Sequence, residues 1–517
     1  MGAGRALLLL GLAALGGCKL GPDFVAPREP VPEHYAGVGG AQRASPPVPA
    51  GKPAEATVPS EAAPEDFWWR EFHDAELDRL IGEVRAGNLD LKVAYLRIVE
   101  SRLQVASARA QGLPSLNASA SYTREQLGLA GILKAQGLTS GSALSSVGPL
   151  VAGIERPIDL YTLGFDASWE LDLFGKVRRS VEAANAQSLE SLEARNDLLV
   201  SLEAEVAQDY LEMRAALAEE RILDAQIRAQ REVVELTAER RRNGLATESD
   251  LDSARAQLSS LESQRPSYEQ SAVVARHALA VLSGAEPERL DGRFGAGGEL
   301  PALPAEVPVG VPSTLARRRP DIRGAEAALH AATAQVGVSV AELFPSVSLS
   351  GTYGLRNIGT RYLFDWSSRF YTAGPSISLP IFQGGRLLTS VKLARTQAAE
   401  AAFNYRKTVL GALQEIEDAL NALAEDATRT AALRDTVAAD ERALEVDLDA
   451  YRHGIMSYLS ALTVQLQTVQ AQQQLEQAMA VQRSDLVKLY KALGGGWETA
   501  PPAPGGEATA QAGASGN

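Results

Sequence analysis

The sequence predicts a mixed, mostly α-helical chain that is built twice over, each half being two strands followed by a long helical hairpin. Three observations predict it: motifs recur at fixed offsets, short segments alternate apolar and polar residues, and long segments keep an apolar residue at every seventh position. Leu113-Pro114-Ser115-Leu116 through Ser121-Tyr122 returns as Phe344-Pro345-Ser346-Val347 through Thr352-Tyr353, an offset of 231. Tyr161-Thr162-Leu163-Gly164 and Gly175-Lys176 return as Tyr371-Thr372-Ala373-Gly374 and Gly385-Arg386, an offset of 210.

Residues 1–17 read as a signal peptide. Arg5 precedes an apolar run, Ala6 to Leu15, that is shorter than the roughly 20 residues of a spanning helix. The run ends Leu15-Gly16-Gly17-Cys18, similar to the lipobox of bacterial lipoproteins, in which cleavage before the cysteine leaves it to be acylated. Cys18 is the only cysteine of the chain, and Lys19 rather than an Asp follows it, which favours sorting to the outer membrane. Residues 18–65 are then a lipidated tether, because Pro27, Pro30, Pro32, Pro46, Pro47, Pro49, Pro53 and Pro59 exclude regular structure. N-terminal helices are expected over 66–112.

The first repeat covers 113–283, with strands at 114–125 and 161–172. Leu116, Ala118, Ala120 and Tyr122 alternate with small polar residues, and Leu163, Phe165, Ala167, Trp169 and Leu171 alternate with Gly164, Asp166, Ser168, Glu170 and Asp172. The second repeat covers 320–493, with a helix at 320–343 and strands at 345–356 and 370–381, where Val347, Leu349 and Tyr353 and then Ile377, Leu379 and Ile381 alternate with serines. Strands with one apolar face suit a sandwich, or a barrel with lipid outside and a wet lumen inside.

The helices decide between these. From Gly175 to Asn243 there is no proline, and Leu192, Leu199, Val206, Met213, Ile227 and Val234 form a seven-residue seam broken only by Glu220. Adding 210 gives Val409, Ile416, Leu423, Val437 and Leu444, with Thr430 at the interruption. The hairpins span 175–283 and 385–493, turning at Gly244 and Gly454. A helix of nearly 70 residues is roughly 100 Å long, more than a globular domain encloses. Four strands cannot close a barrel, whose smallest members have about eight, so several copies must pool their strands. A Gly- and Pro-rich linker, 284–319, joins the repeats, and 494–517 reads as a disordered tail.

Composition removes other classes. A net charge of −14 argues against nucleic acid. His34, His73, His277, His330 and His453 lack the spacing of a metal or haem site, so no metal and no cofactor are expected. No phosphate loop, nucleophile elbow or HExxH pair is present, and the Gly295 to Gly298 cluster lacks the strand and helix of a nucleotide site, so the chain does not read as an enzyme. A periplasmic adaptor shares the hairpins and an acylated cysteine, but it should have no lipid-facing strands.

The motifs Cys18-Lys19-Leu20-Gly21-Pro22-Asp23-Phe24, Trp169 to Lys176, Arg319-Pro320-Asp321-Ile322 with Ala325-Glu326, Phe344-Pro345-Ser346, and Leu379-Pro380-Ile381-Phe382 with Gly384-Gly385-Arg386 resemble those of the TolC-like outer membrane factors, in their lipidated NodT/OprM branch. The resemblance spans about Cys18 to Leu493. It implies a homotrimer with a twelve-strand barrel in outer membrane lipid and a periplasmic α-barrel that docks on an adaptor, or membrane fusion protein, and an inner membrane RND-type pump. It also places 66–112 and 284–319 at an equatorial girdle. The function implied is a passive efflux conduit, with the exit duct of a type I protein secretion system as the alternative.

The resemblance extends to a periplasmic gate. Gly244, Leu245, Gly454 and Ile455 are the hairpin tips expected to meet the adaptor. In the family a Tyr three residues before the second tip glycine bonds an Asp six residues after the first, and Tyr451 and Asp250 match. The family's basic residue after that glycine is Met456 here, and the acids of its narrowest ring are Ser460 and Thr463, which implies a weaker lock. Asp166, Glu170 and Asp172 imply an acidic barrel wall.

Overall fold

The computed structural model describes residues 19–27, 29–37, 57–60, 62, 66–126, 157–294 and 299–499. The expected signal peptide, Cys18 and the Gly295 to Gly298 cluster lie outside them. In chain order the elements are β1 (Val58–Ser60), α1 (Ala75–Gly87), α2 (Leu89–Ala110), β2 (Ser115–Glu125), β3 (Ile158–Leu171), α3 (Lys176–Arg242), α4 (Glu248–Glu262), α5 (Arg265–Leu282), β4 (Glu306–Pro308), α6 (Pro312–Arg318), α7 (Pro320–Ala341), β5 (Ser346–Asn357), β6 (Arg369–Ser378), α8 (Arg386–Arg452) and α9 (Tyr458–Leu493). They fall into two compact units, one made of the chain up to Val25 with Ser101–Ser188 and Leu329–Ala401, the other of the remainder.

The first unit holds an antiparallel sheet of order β2-β3-β5-β6. Its strands are 10 to 14 residues long, near the 9 to 11 of a tilted membrane strand. Helices enter and leave it, and Val105 and Ala108 of α2 pack on Val181 and Ala184 of α3.

In the second unit the heptad seam is the core. Leu199, Val206 and Met213 of α3 and Val409, Ile416 and Leu423 of α8 are buried together with Trp68, Trp69 and Phe72, with Leu77 and Leu80 of α1 and with Tyr490 of α9. Each such side chain contributes about 1.5–3 kcal/mol on burial, which a run of helix propensity alone does not reach. The duplicated register is exact: α3 and α8 are both 67 residues long and start 210 residues apart. Thr430 is buried within the seam, and Glu220 is 3.4 Å from Arg265.

Four expectations need correction. The tether is not free of regular structure: Val58–Ser60 pairs in parallel with Glu306–Pro308 of the linker, and Tyr35 is buried, because apolar residues between the prolines find a core. Strand β6 ends at Ser378, before Leu379 and Ile381, since Pro380 has no N–H to continue the ladder. The expected tail includes a helical turn at Trp497–Thr499, where Trp497 donates its indole N–H to Arg318 O at 3.0 Å and lies under the Arg323 guanidinium. The return limb of the first hairpin is not one helix. It breaks at Ser263-Gln264 because Pro266 cannot bond the Glu262 carbonyl, whereas Glu476 stands 210 residues on and α9 runs through.

Candidate functional site

The register of the sheet sorts its side chains by chemistry. Ala118 lies opposite Phe165, Phe165 opposite Tyr353, and Tyr353 opposite Tyr371, so one apolar row crosses all four strands. Trp169, Leu349, Leu116 and Ile377 extend that face, and all are exposed. The other face carries Ser115, Asn117, Thr162, Asp166, Glu170, Ser348, Thr352 and Ser376, linked across strands by Asn117 to Asp166 at 3.1 Å and Ser348 to Ser376 at 2.7 Å. Gly164 pairs with Gly354 on this polar face, where a Cβ on Gly354 would lie 2.4 Å from Leu163 O. Among the described residues two strands, β2 and β6, have one neighbour each. Of the acids expected on the wall, Asp172 is used elsewhere: it accepts the N–H groups of Val177 and Arg178 at the start of α3 and pairs with the Arg178 side chain at 3.1 Å.

The same unit seats the segment that follows Cys18. The Arg179 side chain, fully buried, donates to Leu20 O at 2.9 Å, to Gly21 O at 3.2 Å and to the Asp23 carboxylate at 2.8 Å. Gly21 has φ +86°, and a Cβ there would sit 2.5 Å from the Cα of Gly337, so only glycine fits. Lys19 reaches Glu182 at 2.7 Å, and Phe24 stacks on His330, which bonds Glu182 at 3.0 Å. Burial pushes the Glu182 carboxyl up, but hydrogen bonds from Lys19, His330 and Arg179 outweigh it and hold its pKa at about 2. Cys18, the expected acylation site, is one residue beyond this seat and outside the described residues.

The hairpin tips lie in the second unit. Gly244 and Gly454 take positive φ of 71° and 75°. Each closes a Schellman turn, with Leu245 N–H on Arg240 O and Ile455 N–H on Ala450 O. Leu245 and Ile455 stand out into solvent, Ile455 at 82%. Ser457 caps α9 by accepting from the Ser460 N–H at 3.4 Å, and the Thr463 hydroxyl is turned back on Leu459 O. Neither presents a charge.

Among the described residues of the single chain, no hydrogen bond joins Tyr451 to Asp250. Asp250 is the third residue of α4, where its carboxylate accepts from the Thr247 N–H and hydroxyl while its own N–H donates to Thr247 Oγ1, a reciprocal cap that the helix dipole favours. Tyr451 is 2% exposed, packed with Val233, Ala254 and Ala461, and its hydroxyl meets Thr237 Oγ1 at 2.9 Å. The Arg240 guanidinium lies 4.8 Å from its ring centre and donates to Tyr451 O at 2.6 Å. Neither Arg179 nor Arg240 is marked in the sequence, since an arginine in a 67-residue helix reads as one more solvated charge; only the Gly21 and Gly454 turns beside them hint at a close approach.

Among the described residues no three His, Cys, Asp or Glu side chains come together as a metal would require, and no helix is long and apolar enough to cross a membrane. Residues 80–285 and 311–495 match the family described as outer membrane efflux protein. The chain is 33% identical over 502 residues to the antibiotic efflux pump outer membrane protein ArpC of Pseudomonas putida, and equally to the toluene efflux pump outer membrane protein TtgC of the same species, covering 95% of this chain and 96% of each relative. Among solved structures it is similar to the outer-membrane channel OprN, with a TM-score of 0.79 and 29% identity, covering 93% of this chain and 100% of that one.

Proposed function

The chain belongs to the outer membrane efflux protein family, and we propose that it works as the trimeric outer membrane duct of a tripartite pump, passing cargo from an inner membrane transporter and its periplasmic adaptor to the exterior. The observation that carries this reading is the sheet: a continuous apolar face, a polar face and two edge strands. An edge strand of 10 or 11 residues directs roughly ten N–H and C=O groups outward, and in hydrocarbon each costs several kcal/mol when unpaired. Pairing β6 of one copy with β2 of the next removes that cost at every seam. Three copies pool twelve strands, the number the family resemblance supports.

The relatives are efflux channels, which favours efflux over the exit duct of a protein secretion system. Two relatives of equal identity carry names as different as antibiotic and toluene efflux, which supports a conduit whose cargo is selected by its partners. A conduit needs positioned walls rather than a reacting group, which agrees with a protein that is not an enzyme. Cys18 is the acylated residue that anchors the chain, and the Arg179 seat holds the segment beside it. The tips at Gly244, Leu245, Gly454 and Ile455 meet the adaptor, and the joint at Tyr451 between the two hairpins is where the mouth closes.

Outer membrane fractions should contain an SDS-resistant species of three chains that collapses to the monomer position on heating and that forms ion-conducting pores in planar bilayers. A two-chain species, or a protein found only in the aqueous periplasmic fraction, would overturn the reading.

A further inference from the structure

The basic residue that the family resemblance places two positions after the second tip glycine is Met456 here, yet the joint between the hairpins holds a cation. It comes from the other hairpin. Arg240 is in the last turn of α3, and its Nη1 donates to Tyr451 O at 2.6 Å and to Arg452 O at 3.4 Å, the terminal carbonyls of α8. Tyr451 O also accepts the Gly454 N–H of the turn at 3.0 Å, and both carbonyls sit at the negative end of the helix dipole, where a cation is favoured. The guanidinium plane also covers the Tyr451 ring at 4.8 Å and lies beside the αL turn at Gly454, where a Cβ would be 3.4 Å from Arg240 Nη2, an ordinary contact distance.

We propose that Arg240 is the positioning residue of the periplasmic gate: it ties the tip of the first hairpin to the tip of the second and holds Tyr451 in its buried seat. This rests on the reading that the tips form a gate. The geometry assigns the work to a charge-to-carbonyl bond within one protomer in place of a tyrosine–aspartate pair. The tie is one-way in the duplicated chain, because the residue 210 positions after Arg240 is Ala450 and the residue 210 before Tyr451 is Arg241, which pairs with Glu248 at 2.5 Å. A lysine at 240 would keep the charge but lose the planar fork that bonds and stacks at once.

The test compares single-channel conductance in planar bilayers of full-length trimers that remain SDS-resistant. Arg240→Ala should raise conductance several-fold or convert brief openings to long ones, Arg240→Lys should restore part of the closed behaviour, and Asp250→Asn should leave conductance at the wild-type level. A second variant, Thr237→Cys with Tyr451→Cys, allows the hairpins to be bridged by a short bifunctional thiol reagent, and bridging should depress the current. A depressed current on bridging with wild-type conductance in Arg240→Ala overturns the brace and leaves the gate standing. A current indifferent to bridging overturns the gate reading and the brace together.

Discussion

Replacing Arg179 by alanine should release the segment that follows Cys18 while leaving the sheet intact. Of its three bonds to that segment, the one to Asp23 counts least, because that carboxylate is 82% exposed and such pairs are worth about 0–1 kcal/mol. The bonds to Leu20 O and Gly21 O come from a fully buried guanidinium and are worth ~1.5–3 kcal/mol each, so their loss removes about 3 kcal/mol at the low end. At ~1.4 kcal/mol per tenfold, undocking becomes roughly a hundredfold more frequent. Trypsin reads this directly, because it cuts after Lys19, whose side chain is held by Glu182 when the segment is seated. Intact mass of purified trimers against time should show cleavage at Lys19-Leu20 accelerated about a hundredfold, in proportion to the open population. Arg179→Lys should fall between. Equal cleavage rates in wild type and Arg179→Ala, with both proteins still SDS-resistant, would refute the seat. Acid supplies a second handle. Glu182 has a depressed pKa, so its contribution is complete above the ordinary carboxylate value of 4.5 and is lost as pH falls towards about 2. Protection of the Leu20 amide, bonded to Phe174 O and taken relative to its intrinsic exchange rate at each pH, should fall as the pH drops through that window and stay constant above it.

Three further outcomes follow from residues already placed. Cys18→Ser should abolish incorporation of labelled palmitate; label that persists would put the acyl group elsewhere. The polar face of the sheet carries Glu125, Asp166 and Glu170 against Arg356, so reversal potentials under a salt gradient should show cation preference, weakened by Asp166→Asn with Glu170→Gln. Anion preference in the wild-type pore would contradict this. Gly354→Ala forces a Cβ to within 2.4 Å of Leu163 O and 2.8 Å of the Gly164 Cα, overpacking that costs about 1–3 kcal/mol, so the heat-modifiable shift should occur several degrees lower, and an unchanged transition would mean that the strands can part there at no cost.

The duplicated fold was legible because its signals are periodic. Period two marked the strands and period seven the seam, and offsets of 210 and 231 tied the halves together, so the buried positions Leu199, Val206, Met213, Val409, Ile416 and Leu423 could be named from spacing. What escaped was aperiodic. Strand β1 is three residues among prolines, and its pairing with β4 joins segments nearly 250 positions apart, too short and too distant for a local pattern to reveal. Trp497 stood in a stretch whose composition read as a tail, yet it packs against the core of the second unit and meets Arg318 O and the Arg323 guanidinium. The contacts at the hairpin tips were half legible. Spacing from the glycines located Tyr451, but spacing cannot say whether a carboxylate will reach across to a tyrosine or turn back to cap its own helix, as Asp250 does. Arg179 and Arg240 bond backbone carbonyls, which every residue possesses, so nothing in the identity of the partner announces them.

The interruption at Pro266 gives the two hairpins different mechanics. In the second hairpin α9 is an unbroken strut of 36 residues, about 54 Å long, antiparallel to α8. The corresponding limb of the first hairpin is two shorter rods, α4 and α5, meeting at a joint where the hydrogen-bond ladder is cut. The outgoing limbs α3 and α8 are unbroken and equal in length, so the two halves of one plan differ in stiffness only in their return limbs, where the first hairpin has a hinge point and the second has none.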